Sequence, residues 1–243
     1  MKKPICYMEL SYVWGIVALA LGATFLVRAD FGVSVVVAPA YLLHLKLSQT
    51  WSFVTFGVAE YIVQGVLLLL LIVIVRRFHW SYLFSFVTAL LYGRILDLFL
   101  GLTEDFPMEA LWLRLLFFAL GLLICALGVS LVLHTYVSPE VYELMLKELS
   151  AKFHWEVGKL KIAYDVISCS VALGMSFAFF GFLHFEGIKL GTVISALVNG
   201  LLIWRFNLFF ERKLEFRAAF PLLKRYFVPP EFPEKQTPEA NIP

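Results

Sequence analysis

Phe84-Ser85-Phe86-Val87-Thr88-Ala89-Leu90-Leu91-Tyr92-Gly93-Arg94-Ile95-Leu96-Asp97-Leu98-Phe99 returns in weakened form at Val193–Phe206. Thr88-Ala89-Leu90 answers to Ser195-Ala196-Leu197, and Tyr92-Gly93 answers to Asn199-Gly200. Working outward, Gly15 and Ala20-Leu21-Gly22 match Gly121 and Ala126-Leu127-Gly128, and the acid Glu60 stands opposite Asp165. The copies keep a nearly constant offset of about 106 residues. A repeat at fixed period decides architecture before any local propensity does. Duplicated hydrophobic units in a small polytopic chain point towards transport. They do not identify the solute.

Of the 243 residues, 61% are hydrophobic and only 16% charged, with mean hydropathy +0.84. A soluble domain has about 45–50% apolar and about a quarter charged residues. This chain has too little polar surface to cover a body in water, so its solvent is lipid. The net charge of +2 is small. The basic residues line one membrane edge, where anionic lipid is the natural partner; no nucleic-acid role is indicated. Cys6, Cys125 and Cys169 form no CxxC or Cys/His cluster, so neither a disulfide framework nor a metal or other cofactor is expected. Met1-Lys2-Lys3 resembles the start of a signal peptide, but no small-residue cleavage site follows, and the first apolar segment is expected to be a retained span.

A bilayer core of roughly 30 Å takes about 20 apolar residues as a helix. Six stretches qualify: Ser11–Val27, Phe53–Val75, Trp80–Leu102, Leu111–Leu133, Ile162–Leu183 and Leu190–Phe210. Backbone polar groups must be satisfied internally in hydrocarbon, so the fold class is all-α. With the N-terminus inside, the inner side collects Lys2, Lys3, Arg76, Arg77, Lys147, Lys152, Lys159, Lys161, Arg212, Lys213, Arg217 and Arg225. The outer side keeps Arg28, Lys46, Arg114 and Lys189. That asymmetry puts both termini in the cytoplasm.

Two connections are more than loops. Gly32–Lys46 is apolar, too short to span and interrupted by Pro39, which reads as a half-helix, re-entrant or interfacial. Pro139–Lys152 opens with Ser138-Pro139-Glu140, a Ser cap followed by Pro and an early acid, and reads as an amphipathic helix on the inner face, either a surface helix or a gate. Each repeat therefore holds three spans and one short helix. An odd span number inverts the second copy relative to the first. The expected units are residues 1–104, residues 105–213 and a tail, residues 214–243, basic at first and then Pro-rich and disordered.

An ionisable side chain within a span costs about 2.5–3.5 kcal/mol on insertion scales, so it calls for a partner or a role. Glu60 and Gln64 lie one turn apart on one face. Asp165 occupies the matching repeat position, with Lys161 one turn back as an alternative partner. Arg94 and Asp97 can pair with each other or face a cavity. Thr192 and Asn199 share the corresponding face of the last span. Gly93 and Gly200 read as sites of close helix packing. Arg28, Asp30 and Ser34 close the first span, where Ser34 is placed to begin a helix whose N–H groups offer a site to an anion. These ten polar residues, Arg28 to Asn199, are the candidate solute-binding set.

Arg28-Ala29-Asp30-Phe31-Gly32-Val33-Ser34, Val137-Ser138-Pro139-Glu140 and the glycine-rich run Gly187–Gly200 resemble the YczE/YyaS/YitT group of bacterial integral membrane proteins, over Ser11–Phe210. Val35 stands where that group commonly has Pro, and Lys189-Leu190-Gly191-Thr192 replaces its Gly-x-Gly-Thr. The resemblance implies a multi-pass protein of the bacterial inner (cytoplasmic) membrane. The leading expectation is a secondary transporter or exporter of a small solute, not an enzyme, working by alternating access between inverted repeats, with Glu60 as the proton-coupling group. A vitamin importer's substrate-binding subunit and a membrane assembly or regulatory protein are the other readings. Assembly into a homo-oligomer is left open.

Overall fold

A computed structural model describes residues 3–155, 157–182, 187–221 and 227. Along the chain come β1 (Ile5–Tyr7), α1 (Met8–Ala29), α2 (Ala38–Leu47), α3 (Phe56–Val75), α4 (Trp80–Leu102), α5 (Leu111–Leu133), α6 (Val141–Phe153), α7 (Val157–Phe180), α8 (Leu190–Lys213) and β2 (Glu215–Arg217). All helices but α2 and α6 contain a stretch long and apolar enough to cross a membrane. The chain is a multi-pass, all-helical membrane protein. Spans α4 and α5 have the bounds expected from apolar length, whereas α1 and α8 run several residues further. Helices continue past the apolar boundary as long as nothing stops them. In α1 the stop is Asp30, in the left-handed region at φ 55°, whose N–H closes on Val27 O at 3.1 Å.

Lipid offers no hydrophobic drive between helices, so close backbone approach through small residues does the work. The repeated glycines supply it. Gly15 lies against Gly128 and Val132, and Gly22 against Gly121 and Cys125, so α1 and α5 run antiparallel. A Cβ on Gly22 would stand 2.6 Å from Cys125 N and 2.9 Å from Gly121 O. Around this crossing Ile16, Ala20, Ala23, Phe56, Tyr92, Leu96 and Val132 form the main core.

The remaining packing is cross-matched. α1 packs on α4 as α5 packs on α8; α2 packs on α3 as α6 packs on α7; and α2 touches α7 as α6 touches α3. Even single bonds correspond. Lys46, ending α2, donates from Nζ to Phe179 O at 3.2 Å in the last turn of α7. Lys152, ending α6, donates to Ile74 O at 2.5 Å and Val75 O at 3.2 Å in the last turn of α3. A cation at a helix C-terminus satisfies free carbonyls and complements the dipole.

Three local features differ from expectation. The α6 helix is not laid on a surface: Val141, Leu144, Leu146 and Glu148 are buried. Its cap is Glu140 rather than Ser138, because Gln64 Oε1 takes the Val141 N–H at 3.2 Å and Thr88 Oγ1 holds Ser138 O at 2.9 Å. β1 and β2 form a parallel pair, Cys6 beside Phe216, which joins the segment before α1 to the segment after α8. The tail read as disordered lies, beyond residue 221, almost wholly outside the described residues. Gly93 meets the Gly57 Cα within 3.1 Å of its own would-be Cβ, but Gly200 faces open space, because α7 is held by α2 and α6 rather than by α8.

Candidate functional site

The looseness between α7 and α8 belongs to a cavity of about 650 Å³. Both halves line it: Leu19, Ala23 and Val27 of α1, Ser34 and Val37 before α2, and Tyr92 of α4 on one side; Cys125 and Val129 of α5, Glu140, Tyr142 and Glu143 of the α6 segment, Tyr164 of α7 and Asn199 of α8 on the other. The walls are mostly apolar. The polar groups gather where α6 begins.

That gathering is built around one amide. Gln64 Nε2 donates to Glu60 Oε2 at 3.2 Å and to Glu140 Oε2 at 3.1 Å, while its Oε1 caps α6. Tyr142 OH donates to the same Glu60 Oε2 at 2.8 Å. Glu60 and Gln64 are completely buried and Glu140 nearly so. Glu60 Oε1 has no hydrogen-bond partner among the described residues. The bridge ties α3, from the first half, to α6, from the second. α4 holds the same helix through Thr88 and through Tyr82 OH, which donates to Glu148 Oε2 at 2.8 Å.

Burial lifts the Glu140 carboxyl well above its ordinary value of 4.5, and the neighbouring Glu143 and Glu60 carboxyls add to the effect. Glu143 is lifted by burial as well, against its own backbone N–H and the Lys161 ammonium. The folded chain thus keeps protons that the unfolded chain releases above about pH 4.5. Stability from this source is complete at acid pH and is lost as pH rises towards the lifted values. Between about pH 5 and pH 8 the wild-type thermal midpoint is expected to fall, by up to about 1.4 kcal/mol per pH unit for each such group, or about 3–6 °C. Glu140→Gln flattens that slope. Thermal unfolding followed by fluorescence across the pH range checks it, and a wild-type midpoint that rises with pH would contradict it.

The ten residues picked from sequence separate in space. Glu60 and Gln64 are in the bridge, and Ser34 and Asn199 line the cavity. Asn199 Oδ1 is buried without a hydrogen-bond partner among the described residues. Arg94 lies on an exposed face of α4, and Asp97 does not bond to it. Asp97 instead accepts from Thr55 Oγ1 at 2.6 Å and Gly57 N at 2.8 Å, securing the start of α3. Asp165 pairs with Lys161. Thr192 Oγ1 accepts from Lys189 N at 3.3 Å at the start of α8. Asp30 takes Arg114 at 3.0 Å and Lys189 at 2.5 Å, and Arg28 Nη2 donates to Glu104 O and Phe106 O. Arg28 and Asp30 thus knot the turn after α1 to the loop between α4 and α5 and to the second half. Glu140, Tyr142 and Glu143 were outside the candidate set. Their one signal was three acids, Glu140, Glu143 and Glu148, within a segment as apolar as its Val141, Leu144 and Leu146.

The model of one protein family of unknown function matches residues 6–208. The match is to that family and carries no YczE/YyaS/YitT name. No curated protein and no solved structure matches the chain.

Proposed function

The chain belongs to DUF6198, a family of unknown function, and we propose that this member is a secondary transporter of a small solute. The observation that carries the reading is the cavity of about 650 Å³ walled by both halves and abutting a buried carboxyl pair. Pockets for small molecules fall in the range of about 300–1,000 Å³ and sit where structural units meet.

The mechanism we infer is alternating access between inverted repeats. Its support is the crossing of α1 and α5. Gly15 is the repeat partner of Gly121, and Gly22 of Gly128, yet the contacts run Gly15 to Gly128 and Gly22 to Gly121. Exchanging the halves returns the same two contacts, as a two-fold axis across the helices requires. The matched bonds of Lys46 and Lys152 obey the same exchange. Rocking one half on the other about this seam would alter the two ends of the cavity in opposite senses. In this reading both termini face the cytoplasm of a bacterium, with Lys3, Arg76, Arg77, Arg212 and Lys213 on the inner edge.

The test needs no knowledge of the solute. Cys6, Cys125 and Cys169 are replaced by Ala, and Val129, on the cavity wall, is replaced by Cys. A membrane-impermeant maleimide is then applied to right-side-out and to inverted vesicles. Reaction from both faces is expected. Reaction from one face alone, or from neither, would sink alternating access.

A further inference from the structure

Among the described residues, the buried polar atom of the cavity wall left without a partner is an acceptor, Asn199 Oδ1. Glu140 lines it with a carboxyl of which Oε2 is engaged by Gln64. Asn199 lines it from α8 with a buried, unpartnered carbonyl oxygen. Glu60, directly behind the amide bridge, adds a second fully buried carboxyl with one oxygen unmet. Of the buried donors nearby, Tyr142 OH is committed to Glu60, and Lys161, partly exposed, is paired with Asp165. Ser34 and Lys147 also line the cavity, Lys147 with an exposed side chain. An apolar chamber with an acidic inner end and an acceptor on its far helix suits a ligand with an apolar body and a cationic donor.

We propose that this cavity takes an organic cation carrying amino groups, its N–H groups meeting the Glu140 carboxylate and Asn199 Oδ1 and its apolar body lying against α1 and α5. The proposal rests on the transporter reading above for the role of the cavity. Charge-assisted hydrogen bonds from N–H to carboxylate are the strong ones, and in an enclosed apolar site their weight grows. An anion would meet two carboxyls and no uncommitted buried donor.

Protons and the cation compete for the same oxygens. Glu140 is faced by Glu60 and Gln64 of α3 and by Tyr142 and Glu143 of its own segment, and it interacts electrostatically with Tyr12 of α1, Tyr92 of α4 and Cys125 of α5. Lys161 and Tyr164 of α7 act on Glu143. None of the phenols or the thiol releases a proton near neutral pH, so the competing protons are those of the carboxyls. Acidification is expected to weaken cation binding.

The probe is ethidium, an aromatic cation that carries amino groups, titrated into the purified full chain in a non-ionic detergent and followed by fluorescence. Anilinonaphthalene sulfonate, an anion of comparable size, is the comparator. Saturable binding of ethidium is expected, weakened about tenfold or more by Glu140→Gln. Asn199→Ala weakens it less, and lowering the pH from about 8 to about 5 weakens it in wild type more than in Glu140→Gln. The near-native shape of Gln keeps the variant folded, which its thermal midpoint verifies. Tighter binding of the anion, or ethidium binding indifferent to Glu140→Gln and to pH, overturns the cation assignment. If that happens while Val129→Cys labels from both faces, the transporter reading stands and only the ligand class is wrong. One-sided labelling removes the transporter reading whatever ethidium does.

Discussion

Gly22→Val is expected to yield no monodisperse, folded protein. A Cβ there meets Cys125 N and Sγ at 2.6 Å and Gly121 O at 2.9 Å, and two of these three atoms are backbone. Side chains can rotate away from a clash, but two helices in contact can only separate. Overpacking a core costs about 1–3 kcal/mol when side chains can yield. Here relief requires opening the most extensive helix contact among the described residues, on which Ile16, Ala20, Ala23 and Val132 depend, so the loss is expected to exceed that range. Gly174→Ala, on α7 with nothing within 4 Å of the added atom, is the control and is tolerated. Size-exclusion profiles and thermal midpoints of the two variants decide it. A well-behaved Gly22→Val protein would mean that the crossing of α1 and α5 is not the centre of the fold.

The second large effect concerns Glu60. In liposomes, Glu60→Gln is expected to abolish ethidium accumulation driven by an imposed pH gradient, while leaving the thermal midpoint near wild type. Gln at this position still presents an oxygen to Tyr142 OH and to the Gln64 amide, so the bridge to α6 survives. What is lost is the ability to hold and release a proton. Glu60→Leu is the contrast: it leaves Tyr142 OH without its acceptor in a buried place, at about 1–3 kcal/mol, and Gln64 Nε2 with Glu140 as its one remaining acceptor. A fall in midpoint for Leu together with a preserved midpoint for Gln separates the chemical role from the packing role. Accumulation that still follows the pH gradient in Glu60→Gln removes this residue from proton coupling.

The spans were legible because continuous apolar length is a one-dimensional property. Trp80–Leu102 and Leu111–Leu133 were read to the residue. The glycines were legible as a repeat, and the structure puts Gly15, Gly22, Gly121 and Gly128 at one crossing. Pairing of polar groups was harder, because spacing along a helix states only what is allowed. Arg94 and Asp97 are near enough to pair, but Asp97 finds two donors at the start of α3, a preference set by where α3 begins. Gly200 matches Gly93 in sequence and differs in surroundings, since the neighbour that would press on it stands away. Glu140 and Glu143 looked like the wet side of an amphipathic helix. Nothing local says that Gln64, Thr88 and Tyr82 reach over from α3 and α4 to draw that helix inward. The strands β1 and β2, three residues each and at opposite ends of the chain, leave no periodic trace.

The alignment that sets Lys46 beside Lys152 also sets Ser34 against Glu140, Val37 against Glu143 and Leu42 against Glu148. The two short helices have matching packing partners, while carboxyls stand on only one. The first of those carboxyls, Glu140, stands level with Gln64 and Thr88, in the middle of α3 and α4. Under the proposed transport role, loading from the two compartments is expected to be unequal, because the carboxyls facing the path stand on one short helix alone.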